Sequence, residues 1–156
     1  MAQAELAFSK PTVGTLLLVR SLIMTISLGL LGRSVFWRFR GNIMIGVSLL
    51  LAGTVILFSV AESIAAVTLL LILTGMLAAT AYNNSLFHGV SGSVQRASRM
   101  AIHEATLSVG VGMGAVGSGF TYQHLGMAGA FTFCALMLVG GAAVQAIMLS
   151  KIRRHA

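Results

Sequence analysis

Five apolar runs, at about residues 12–31, 43–60, 64–86, 100–120 and 127–149, dominate the chain. Each approaches the ~20 residues that an α-helix needs to cross the hydrocarbon of a bilayer. None shows the alternating polarity over about ten residues that marks a barrel strand. In lipid, a segment satisfies its backbone N–H and C=O groups only as a helix or in a closed barrel. These runs therefore predict an all-α integral membrane protein with five transmembrane helices. They form one membrane domain, 12–150, between an extracytoplasmic segment, 1–11, and a cytoplasmic tail, 151–156.

Composition removes the competing classes. Charged residues are 8% of the 156 and hydrophobic residues 57%, whereas a soluble domain carries about 25% charged residues. So few charges cannot cover a solvated surface, and the apolar content is too high for a disordered chain. The pI near 11.3 would suit a nucleic-acid protein only if its basic residues lay on a solvated face with a recognition motif. No such motif is present, so the bilayer is the expected partner and nucleic acid is not. Residues 1–10 lack the order of basic, apolar and small residues that makes a secretory signal. Pro11 falls where a helix should begin, a position that has no N–H partner to lose. Cys134, the single cysteine, is expected to be a small core residue.

The basic residues set an orientation. With five spans, Arg33, Arg38, Arg40, Arg96, Arg99, Lys151, Arg153 and Arg154 fall on one side, Lys10 on the other, and Arg20 inside a span. Lys and Arg gather in cytoplasmic loops, so the N-terminus is expected outside and the C-terminus in the cytoplasm, in a bacterial inner (plasma) membrane. Phe36, Trp37 and Phe39, interleaved with Arg33, Arg38 and Arg40, are expected at the interface, where amphipathic rings and snorkelling cations settle.

A few polar residues interrupt the apolar runs. Arg20 lies well inside the first span, where a charge costs about 2.5–3.5 kcal/mol on insertion scales. It is expected either to line a solute path or to join a structural ion pair. Tyr82, Asn84 and their neighbours make a polar patch near the inner end of the third span, suited to interhelical hydrogen bonding or to lining the path. Glu104, beside His103, has Met100 and Ser108 at helical spacing and so no cation on its own face. Its expected partner is Arg96 or Arg99, in a loop folded back on the helix, and the pair Glu104–His103 is alternatively a proton site. The four histidines are scattered and the chain has no Asp. Neither a zinc site nor a catalytic triad is expected, and the chain is read as no enzyme, with no metal and no cofactor. The fourth span carries Gly110, Gly112, Gly114, Gly117 and Gly119. Gly110, Gly114 and Gly117 share one face, the small-residue pattern that lets membrane helices approach closely.

These features together resemble the C-terminal part of a major facilitator superfamily (MFS) transporter, its eighth to twelfth helices. The basic segment Gly29–Arg40 resembles the family's loop between helices eight and nine. The loop ending in Arg96 and Arg99 resembles that between ten and eleven. Gly110-x-x-x-Gly114-Ala-Val-Gly117 is similar to the family's glycine motif, with Ala115 where that motif has Pro. No Asp or Gly stands between Arg33 and Arg40, where the family loop has both. The resemblance implies an incomplete C-terminal half of a secondary active transporter, moving a small solute by alternating access and needing a missing N-terminal half, as a truncated gene, a split transporter or an internal start would leave it. The alternative is a non-transporting accessory or assembly protein that docks another membrane subunit through its glycine-rich helix.

Overall fold

The computed structural model describes residues 9–34, 37 and 42–155, with side chains as far as Lys151. The expected placements of residues 1–8, of Phe36, Arg38, Phe39 and Arg40, and of the side chains of Arg153 and Arg154 lie outside the described residues. Among the described residues the chain forms four helices and no strand: α1 (Lys10–Arg33), α2 (Asn42–Phe58), α3 (Ile64–Val90) and α4 (Arg96–His155). α1, α3 and α4 are long and apolar enough to cross a membrane, and α2, at 17 residues, is a shorter apolar helix.

Local chemistry explains the ends. Ser9 caps α1 by accepting from the Thr12 N–H at 3.4 Å, and Pro11 occupies the first turn. The extended Ser34 ends α1, and its N–H returns to the Leu31 carbonyl at 3.1 Å. The same carbonyl accepts from Trp37 Nε1 at 3.0 Å. Trp37 is only 3% exposed and meets Phe87 edge-on at 5.5 Å. It is therefore a buried pin between the ends of α1 and α3. Ser63 caps α3 by accepting from the Ala66 N–H.

Two helices run further than their polarity implied. α3 continues to Val90, and α4 starts at Arg96 instead of Met100. Polar residues in this stretch mark contact with water, and Arg is a good helix former, so only 91–95 leave the helix. The expected connection Thr121–Gly126 is helical until its last residue. Thr121 Oγ1 donates back to the carbonyls of Gly117 and Ser118, each at 3.0 Å. Gly126, at φ 69° and ψ −167°, then breaks the helix. Only glycine occupies that region freely. The break divides α4 into a first arm, 96–125, and a second arm, 127–155. On a straight helix residues 117 and 133 would stand about 24 Å apart. Here a Cβ added at Gly117 would lie 2.5 Å from the Phe133 ring, so the arms fold back on each other.

In space the order is α1, α3, α2, α4: α1 packs on α3 alone, α2 packs between α3 and α4, and α3 also touches α4. α2 runs antiparallel to the second arm, with Phe58 stacked on Phe131 at 5.8 Å and Asn42 beside Ser150. The core uses small residues. Ala79 on α3, Ala52 on α2, and Ala135 and Ala142 on the second arm are all buried, as expected where close backbone contact drives association in lipid. Large apolar side chains face outward on every helix, an arrangement suited to lipid and not to water. Arg33, Trp37, His88, Arg96 and Lys151 belong to helix ends or connections that meet at one end of the bundle, linked by Trp37–Phe87 and by the cavities that join α2 and α3 to the second arm.

Candidate functional site

Two polar clusters adjoin on α3, with Ser85 common to both. The first joins α3 to the first arm of α4. Tyr82 donates its hydroxyl to Glu104 Oε1 at 2.8 Å. Ser85 donates to the Tyr82 carbonyl at 2.9 Å and lies 3.0 Å from His103 Nε2. With the Ser85 proton committed, its oxygen accepts from His103 Nε2–H. In the neutral ring this leaves the Nδ1 lone pair facing Glu104 Oε1 at 3.5 Å, within ion-pair reach but without hydrogen-bond alignment. Protonation would place an N–H there.

This geometry corrects the expected partner of Glu104. Arg96 and Arg99 are exposed on the first turn of α4 itself. They are no folded-back loop, because the helix begins before them. Arg99, five positions from Glu104, points about 140° away round the helix, and Arg96, eight positions away, stands about 12 Å along its axis. Tyr82, whose patch was expected to bond between helices or to line a path, makes such an interhelical bond: its hydroxyl holds Glu104. Replacing Tyr82 with Phe removes the one hydroxyl–carboxylate bond between these elements. Amide exchange over residues 96–108 should accelerate by about three- to tenfold, the loss of a single net hydrogen bond, while α1 exchange stays unchanged. Equal rates in both proteins would show that the contact does not hold the arm.

The second cluster surrounds Asn84, which is 2% exposed and whose Nδ2 has no hydrogen-bond partner among the described residues. An unpaired buried amide group costs about 1–3 kcal/mol. Asn84 lines a cavity of about 390 Å³ bounded by α2, α3 and the second arm of α4. A neighbouring hollow of about 550 Å³ shares Leu149 and reaches Asn42 and Ser150.

Arg20 belongs to neither cluster. It is half-buried on α1, and among the described residues it makes no ion pair. Its backbone carbonyl meets α3: a Cβ added at Gly75 would lie 2.9 Å from it. Gly75 and Asn84 are nine residues apart, half a revolution around the helix. The Arg20 backbone and Asn84 thus lie on opposite faces of α3.

The glycine-rich face divides as well. Gly117 packs against Phe133, but a Cβ at Gly110, Gly112 or Gly114 would meet nothing within 4 Å. The close contact inside the bundle is at Gly75 on α3, followed at the same face by the fully buried Ala79. Sequence reading missed this pair, although its Gly-x-x-x-Ala spacing is a small-residue signal of the same kind. Cys134 is half-buried. Among the described residues no group of three His, Cys, Asp or Glu side chains converges on a metal position. Set beside known proteins, the chain matches no family model, no curated protein and no solved structure.

Proposed function

We propose that the chain is the C-terminal portion of a secondary active transporter of the major facilitator type, crossing the membrane five times. In this reading it moves a small solute by alternating access together with a further membrane body. Arg20 carries the reading. It lies about 15 Å along an α1 about 36 Å long, near mid-depth, and has no counter-charge among the described residues. A charge so placed is retained for a solute, for water or for a partner across the path. The two arms of α4 serve as the fourth and fifth spans.

The accessory-protein reading is favoured by the open face at Gly110, Gly112 and Gly114, which offers a close-approach surface to another helix. Native membranes probed with an antibody to the tail 151–156 separate these readings. Transport predicts either a band of about 40 kDa or more, the size of a two-half transporter, or a polytopic partner of about six helices recovered with the 16.3 kDa chain. An accessory protein predicts the 16.3 kDa band with a partner of another architecture. Recovery of the short chain alone would defeat both.

A further inference from the structure

We infer that the Asn84 cavity is a binding site for a neutral, largely apolar small molecule that carries one hydrogen-bond acceptor, such as a ketone or ester carbonyl. The inference goes beyond the transport reading. It uses only α2, α3 and the second arm of α4, on the face of α3 away from Arg20, and it stands whether or not transport does.

The size and lining define the class of ligand. A volume of about 390 Å³ lies within the roughly 300–1,000 Å³ range of small-molecule sites, which are mostly apolar with a few placed polar groups. Met44, Met148 and Leu149 supply apolar, adaptable walls. Asn84, Ser85, His88 and Gln145 supply the polar groups, the Ser85 hydroxyl proton being already donated to the Tyr82 carbonyl. The amide of Asn84 is the anchor, because its Nδ2 is a buried donor with nothing to donate to among the described residues. Among the described residues no carboxylate lines the cavity, so an amine would enter without a counter-charge. Among the described residues no Lys or Arg lines it either, and His88, the one titratable group in that lining, is exposed. A carboxylate or phosphate beside Asn84 would therefore be buried unpaired, which is strongly unfavourable. A neutral carbonyl accepts from the amide and leaves the rest of the molecule against the methionines.

Benzophenone is a suitable probe. It is neutral and apolar with a single carbonyl. Under near-ultraviolet light its oxygen abstracts hydrogen from an adjacent C–H bond, and the two carbon radicals then join, so the adduct records position. Native membranes would be labelled, the chain recovered through its tail, and the adducts located by mass spectrometry. Met44 and Met24 are both half-buried, but only Met44 lines the cavity. Labelling should concentrate at Met44 over Met24. It should fall about three- to tenfold in Asn84→Leu, the effect of one lost hydrogen bond. In the native chain, ethyl benzoate should displace the label at Met44, while butylbenzene, of similar size but without an acceptor, should not. That competition does not depend on the variant folding. Labelling spread over the methionines in proportion to their exposure would overturn the proposal. So would equal displacement by the two competitors, which would mean an apolar crevice without recognition by Asn84.

Discussion

Replacing Gly126 with Ala should unfold the α4 hairpin. A non-glycine residue at φ 69° and ψ −167° carries about 1–3 kcal/mol of strain, and Ala favours the helical alternative by about another 1 kcal/mol. The alternative conformation is a continuous helix about 90 Å long, against hydrocarbon only about 30 Å thick. Such a helix cannot keep both arms in one bilayer, so less protein should accumulate in membranes. The distance between spin labels at residues 113 and 137, in a Cys134→Ala background, reports the change directly. With the arms folded it is short, because Gly117 and Phe133 touch. In Gly126→Ala it should move toward the about 36 Å of a straight helix. An unchanged short distance would mean that packing of α2 on the second arm holds the fold-back without help from the glycine.

Gly75→Ala should release α1. The added Cβ would lie 2.9 Å from the Arg20 carbonyl oxygen, a backbone atom that no rotamer change can move aside. Overpacking of this kind costs about 1–3 kcal/mol, and α1 has no other helix to hold it, since it packs on α3 alone. Protease sensitivity and amide exchange over residues 10–33 should both rise, with α2 unaffected. Gly53→Ala is the matched control. Nothing lies within 4 Å of a Cβ at Gly53, so the change should stabilise α2 by up to about 1 kcal/mol through helix propensity. If the two substitutions behaved alike, the Gly75–Arg20 contact would not be what joins α1 to α3.

Helices were legible because lipid imposes a simple rule on the backbone, and long apolar runs with few charges have few other uses. Their ends were less legible. The polarity of Arg96 and Arg99 was read as a loop, yet helix propensity and the late break at Ser91–Gln95 let α4 begin at Arg96. Similarly, Thr121–Leu125 read as a connection, but the Thr121 hydroxyl satisfies carbonyls of its own helix. The glycines of the fourth run drew attention by their number. Space around each glycine, which no spacing reveals, decided that Gly75 and Gly117 pack while Gly110 and Gly114 stay open.

What the sequence determined by itself was the solvent and the secondary structure. Hydrophobic length, scarce charge and basic clustering are additive properties of neighbouring residues, and they are enough to define apolar helices with their basic ends gathered together. What only the tertiary structure decided was pairing. Tyr82 and not an arginine holds Glu104, the Arg20 backbone and Asn84 lie on opposite faces of α3, and Trp37 is buried against Phe87. The reason is that partner choice depends on the rotational phase of each helix and on which neighbour stands opposite. Both follow from the packing of small residues such as Gly75 and Ala79, contacts between segments far apart in the chain.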